Sequence, residues 1–167
     1  KMCENYHKQY GNNFISVMPT NLYGPNDNFN LETSHVLPAL MRKFHEAKIQ
    51  KKQSVEVWGT GKPKREFLYV SDMAKACLFL MENLNAYKLY SKGISHLNIG
   101  SGKEISIAEL SNLISSVVKY EGDIKYNSKK SDGVKQKLLD IYRLSKMGWE
   151  PKITLKTGVE KTYEWFV

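Results

Sequence analysis

Arginine is nearly absent from this sequence: Arg42, Arg65 and Arg143 are the only three among 25 Lys+Arg. The lysines that make up the rest are scattered, with short pairs at 51–52 and 129–130. Proteins that grip nucleic acid by its backbone group their cations with aromatics or along one helix face. No such grouping occurs here, so no nucleic acid partner is expected. The net charge of +8 reads as a solvated lysine-rich surface, compatible with one pocket for an anionic small molecule. Cysteine is equally sparse. Cys3 and Cys77 lie far apart and form no metal-ligand or redox spacing, so no metal site is expected. Two reduced thiols in a cytoplasmic protein are the favoured reading. No apolar run approaches the roughly 20 residues that span a bilayer, and no membrane partner is expected. Residues 1–11, KMCENYHKQYG, are polar and do not form a signal peptide pattern.

What is present is a chain of 167 residues, 41% hydrophobic and 25% charged, ordinary for one globular domain with a sizeable core. Residues 2–10 read as the end of a helix closed by Gly11. FISVMPT (14–20) reads as a buried strand that Pro19 ends, and NLYGPNDNF (21–29) as a loop. Residues 35–48 carry Leu37, Leu40, Met41 and Phe44 at helical spacing, with Pro38 in the first turn. SVEVWG (54–59) and REFLYV (65–70) read as strands. Ser71 is then expected to cap a helix with Asp72 in its first turn. HLNIG (96–100) and DIKYN (123–127) read as strands. Ser106 or a neighbour and Thr154 cap two further helices, and a short helix ends at Gly148. Strands alternating with helices give an α/β class.

At this level the sequence resembles a known family. PTNLYGP, SHVLPAL, VWGTGKPKREFLYVSDMA, HLNIGSG, KSDG, KLLD, GW and the terminal TYEWF occur in order along the whole chain. They are similar to the GDP-L-fucose synthases, the NADP-dependent GDP-4-keto-6-deoxy-D-mannose 3,5-epimerase/4-reductases among the extended short-chain dehydrogenase/reductases. The resemblance implies a Rossmann-like fold with a substrate-binding lobe, of which this is the C-terminal portion. It implies that residues 1–34 end the NADP-binding domain, that 35–167 form mainly the GDP-sugar lobe, and that 95–118 return to the Rossmann sheet. A Gly-rich dinucleotide loop is absent, and GSGKEIS (100–106) lacks the third glycine needed to replace it. The family's Tyr-x-x-x-Lys pair belongs on the helix of residues 2–10, a little before Lys1, and is absent there too, and neither cysteine matches the family's catalytic one. A missing N-terminal half is therefore the expected partner, and the isolated chain is expected to be inactive. The family's homodimer is expected to be weakened, and the strand edges left open to be a liability.

The same resemblance implies roles for individual residues. His35 matches the histidine acid/base of the epimerisation, which an imidazole suits because its ordinary pKa lies near neutrality. Taken alone, a lone histidine at a helix start is more often a cap or a surface residue. Pro19, Thr20, Asn21 and Leu22, with His35, match the segment at the nicotinamide end of NADP; turn chemistry alone also explains them. Lys43, Trp58, Arg65 and Asp132 match contacts to GDP-4-keto-6-deoxy-D-mannose. Arg65 would grip the diphosphate with its planar fork, Trp58 would stack or donate its N–H, and Asp132 would accept from the nucleoside. Each has a plainer alternative: a solvated helix face for Lys43, core for Trp58, an edge-strand charge for Arg65 and a turn residue for Asp132. His7, His45 and His96 read as structural or exposed. The alternatives within the sequence are a non-catalytic GDP-sugar-binding module, or part of another nucleotide-sugar epimerase or dehydratase.

Overall fold

The computed structural model describes residues 1–167. Its elements in chain order are α1 (Met2–Tyr10), β1 (Val17–Pro19), β2 (Asn21–Tyr23), α2 (Val36–Ile49), β3 (Ser54–Trp58), β4 (Lys64–Tyr69), α3 (Val70–Asn83), α4 (Ala86–Tyr90), β5 (Leu97–Ile99), β6 (Glu104–Ser106), α5 (Ile107–Val118), β7 (Asp123–Asn127), β8 (Gln136–Lys137), α6 (Tyr142–Lys146) and α7 (Leu155–Phe166). The class is α/β, as the alternation of strand and helix patterns predicts.

Local signals account for most of the helices. The apolar stripe of α2 buries Leu37, Leu40, Met41, Phe44 and Ala47. The stripe of α5 buries Ile107, Leu110, Ile114 and Val118. Each fully buried aliphatic or aromatic side chain contributes about 1.5–3 kcal/mol, so these two facing stripes carry the larger core. That core is completed by Tyr23, Val55, Val57, Phe67, Tyr69, Tyr120 and Val159. A capping box starts α5: Ser106 Oγ accepts from Glu109 N, and the Glu109 carboxylate accepts from Ser106 N at 2.9 Å. Thr154 caps α7 through Thr157 N at 3.2 Å. A smaller core joins Leu68, Ala76, Leu80, Leu89, Leu97, Ile99, Leu144 and Trp149.

The strands form three separate sheets. β1 and β5 are parallel, with Val17 opposite Leu97 and Pro19 opposite Ile99. β3 and β7 are parallel, with Ser54 opposite Asp123. β4 is central to the third: its C-terminal half pairs with β2 in parallel, and its N-terminal half pairs with β6 and β8. Lys64 Nζ reaches Glu104 at 2.9 Å while Gln136 donates to the same carboxylate at 2.6 Å, stapling β6 and β8 to β4. The extended run 17–23 changes sheet at Thr20, whose N–H donates to Ile99 O at 2.9 Å before β2 joins β4. Within the 95–118 segment, β5 pairs with β1, while β6 joins β4 and α5 packs on α2 and α7.

Four expectations are corrected. Residues 21–23 are not loop but β2, because Tyr23 is drawn into the larger core and the backbone pairs with Phe67–Tyr69. The strand at 14–20 is shorter than expected and not buried: Met18 and Pro19 are exposed, and only β5 flanks it. Ser71 does not cap α3. The helix begins at Val70, directly from β4, with Tyr69 at the N-cap position and no side-chain cap. Trp58 is not core but more than half exposed, because β3 alternates and turns Val55 and Val57 inward instead.

Candidate functional site

The first part of the site is the strand end where the chain changes sheet. Ligands of open α/β sheets lie outside the carboxyl ends of parallel strands, and Pro19 and Ile99 are such ends. Thr20 is buried and its hydroxyl donates to Glu66 O at 3.2 Å; Asn21 Nδ2 donates to the same carbonyl at 2.7 Å. The amide nitrogen of Asn21 is thus committed to the fold. Pro19 is exposed, and Leu22 is half-buried.

Glu66, which sequence reasoning passed over, organises this region. It is fully buried. One carboxylate oxygen accepts from Gly102 N at 2.7 Å and Ser101 Oγ at 3.4 Å, the other from Leu139 N at 3.0 Å. A Cβ on Gly100 would collide with that carboxylate. The GSG turn is therefore built around Glu66 rather than around a phosphate. A glutamate inside an apolar strand was the available signal, since a buried charge needs fixed partners.

His35 is the N-cap residue of α2. It is exposed and makes no capping hydrogen bond with its side chain. Lys43 follows eight residues later, a rise of about 12 Å along the same helix.

Lys43, Trp58, Arg65 and Asp132 are brought onto one surface from four different elements or loops. Lys43 Nζ lies 4.8 Å from the centre of the exposed Trp58 ring and donates to Glu56 O at 3.3 Å. Partial burial lowers the Lys43 pKa, against a smaller opposing pull from Glu56. Lys130 Nζ lies 5.1 Å from the same ring. Asp132 accepts from Thr60 N at 2.6 Å and Thr60 Oγ1 at 2.8 Å, and these hydrogen bonds hold its carboxyl below the usual range. Arg65 donates to Lys64 O at 2.7 Å and borders Gly133, next to Asp132. Lys137 of β8 stands in register with Arg65. None of Lys43, Arg65, Lys130 and Lys137 is in an ion pair. An exposed indole ringed by unpaired cations suits a ligand that combines an aromatic ring with phosphates.

The other histidines are accounted for locally. His7 Nδ1 meets Asn12 O at 2.9 Å, His45 Nδ1 meets Tyr163 Oη at 3.1 Å, and His96 Nδ1 meets Ser95 Oγ at 3.0 Å. Cys3 and Cys77 are free. No helix is long and apolar enough to cross a membrane.

A dinucleotide would fit this chain at one end only. The exposed strand end at Pro19, beside Asn21 and Leu22, has the position expected for a nicotinamide contact. No glycine-rich loop is present for a pyrophosphate, since the GSG turn is filled by Glu66.

The chain is 52% identical over 167 residues to GDP-L-fucose synthase 1 of Arabidopsis thaliana, covering 100% of this chain and 50% of that protein. It is 48% identical over 169 residues to the GDP-L-fucose synthase of Escherichia coli K12, covering 100% of this chain and 53% of that one. It thus spans about half the length of these curated relatives. Among solved structures, the GDP-mannoheptose C4 reductase of Campylobacter jejuni with NADP bound superposes with a TM-score of 0.85 at 36% identity, over 99% of this chain and 56% of that one. The profile of the NAD dependent epimerase/dehydratase family matches residues 1–100, and the chain belongs to that family.

Proposed function

We propose that this chain supplies the GDP-sugar lobe, a nicotinamide-side strand end and an acid/base histidine to an NADP-dependent GDP-4-keto-6-deoxy-D-mannose 3,5-epimerase/4-reductase that makes GDP-L-fucose. The observation that carries the reading is the surface where Lys43 and Lys130, neither in an ion pair, lie over the exposed Trp58 ring. The identity to GDP-L-fucose synthases along the whole chain supports it. Arg65 and Lys43 hold diphosphate oxygens, and Trp58 packs against the nucleotide. Asp132 borders the nucleoside end. His35 returns or removes a proton at a carbon beside the ketone. Pro19, Thr20, Asn21 and Leu22 shape the wall of the nicotinamide site. NADP, when bound, supplies the hydride. The tyrosine–lysine pair that such a reduction uses belongs on the helix that α1 ends, and α1 carries no tyrosine four residues ahead of a lysine, so a further polypeptide portion completes the site. The complete enzyme works as a homodimer in the cytoplasm.

Titration calorimetry with GDP and UDP, and NADPH consumption with GDP-4-keto-6-deoxy-D-mannose, test this reading. The chain binds GDP more tightly than UDP and consumes no NADPH alone. It consumes NADPH when a separately produced N-terminal half of a GDP-L-fucose synthase is added. Equal or better binding of UDP sinks the GDP assignment in favour of another nucleotide-sugar epimerase or dehydratase. The absence of the Gly-rich loop favours one second reading, a GDP-sugar-binding module without chemistry. GDP binding with no NADPH consumption in either mixture selects it.

A further inference from the structure

Asp132 sits among cations yet forms no ion pair; both of its carboxylate oxygens are taken up by Thr60, one by the backbone N–H and one by the hydroxyl. The contact joins two loops that the sequence separates by 72 positions. It is tight: Gly59 has a φ of 82°, and a Cβ there would collide with the Asp132 carboxylate. The far loop is itself turned by Asn127, which receives Lys129 N at its side chain and Lys130 N at its carbonyl, each at 3.1 Å. With one end fixed by Asn127 and the other by Asp132, Lys130 between them has its Nζ 5.1 Å from the Trp58 ring centre.

We propose that Asp132 is a positioning residue: it latches loop 127–133 onto the turn after β3, and so holds Lys130 beside Trp58 as a further phosphate-binding cation. The inference rests on the GDP-sugar reading of this surface and reassigns Asp132 within it, from contacting the nucleoside to placing a lysine. The two roles differ in sign and in ligand. A carboxylate near a phosphate site repels the ligand, so on charge alone its removal tightens anion binding. A nucleoside contact would matter for GDP and not for inorganic pyrophosphate. A latch matters equally for both, and its loss weakens both.

The test is calorimetric affinity of the whole chain for GDP and for pyrophosphate at one ionic strength, with circular dichroism as the check on folding. Asp132→Ala and Lys130→Ala each weaken both ligands by about tenfold, the worth of one charge-assisted contact. The double variant is no weaker than either single one, because the carboxylate acts through the lysine. Asp132→Asn keeps an acceptor for Thr60 N–H and a donor for its hydroxyl, and stays within about twofold of the parent. Tighter or unchanged pyrophosphate binding by Asp132→Ala overturns the proposal, as does a double variant whose losses multiply. If Asp132→Ala does not fold, Lys130→Ala and Asp132→Asn decide: unchanged affinity in the first, or a loss of GDP binding alone in the second, refutes the latch. Failure of the parent chain to bind either ligand overturns the ligand surface and the latch with it, whereas binding that ignores Lys130 removes the latch alone.

Discussion

Replacing Glu66 by glutamine is the most informative single change to the fold that carries the site. The side chain keeps its size, but one carboxylate oxygen becomes an NH2 group. Both oxygens now accept from backbone N–H groups, Gly102 at 2.7 Å on one side and Leu139 at 3.0 Å on the other. Glutamine therefore turns a donor toward one of them. The loss comprises one hydrogen bond to a charged acceptor, worth about 1.5–3 kcal/mol, and a buried amide left unpaired, for a combined cost of about 2–4 kcal/mol. Burial leaves little room for water to compensate, since Glu66 has no exposed surface. Against a total stability of about 5–15 kcal/mol this is a large fraction. With a urea slope of about 2 kcal/mol/M, the midpoint of unfolding followed by far-UV circular dichroism falls by about 1–2 M. Glu104→Gln, which loses the ion pair of a half-buried carboxylate to the exposed Lys64, serves as the control and shifts the midpoint far less. Hydrogen exchange at the Gly102 and Leu139 amides should speed up in the Glu66 variant alone. An unchanged midpoint would refute the argument that both oxygens are needed as acceptors.

Two further predictions concern the same scaffold. Gly158 lies inside α7, where alanine normally stabilises a helix by about 1 kcal/mol. Here the added methyl meets the buried Tyr23 ring and hydroxyl, which donates to Leu155 O at 3.3 Å. Gly158→Ala is thus expected to destabilise by about 1–3 kcal/mol in urea unfolding, and a gain in stability would show that Tyr23 yields freely. The Ser106 hydroxyl, then its backbone N–H, lower the Glu109 pKa from 4.5 in the folded chain. A depressed folded pKa means that the stabilisation is complete above the unfolded value and is lost as the pH falls through the folded one. Urea midpoints measured downward from pH 4.5 should therefore drop more steeply in the parent than in Ser106→Ala. Parallel pH profiles would remove the capping box from the acid response.

Much of the scaffold is legible because its signals are local. The spacing of Leu37, Leu40, Met41 and Phe44 gives α2 and its buried face. Gly11 at φ 70°, Ser106 and Thr154 mark helix ends through hydrogen bonds that reach five residues or fewer. The elements missed were β6, β8 and α4. Strands of two or three residues and a five-residue helix are too short for periodicity to register. The Asn-, Gly- and Pro-rich composition around residues 21–29 hid β2, whose pairing depends on Phe67–Tyr69 far along the chain. Ser71 failed as a cap because α3 runs straight on from β4 and begins at Val70, which leaves Ser71 inside the first turn.

The sequence by itself determined the α/β class and the main helices and, through its resemblance to a family, singled out His35, Lys43, Trp58, Arg65 and Asp132 as candidates. It could not determine what those residues touch. Only the tertiary structure decided that Trp58 lies exposed between Lys43 and Lys130, that Glu66 fills the GSG turn, and that Asp132 spends both oxygens on Thr60. The physical reason is range: a cap or an amphipathic stripe is settled within a few residues. A buried carboxylate and a clustered set of cations are settled by which strands pair, across separations of 36 to 73 residues.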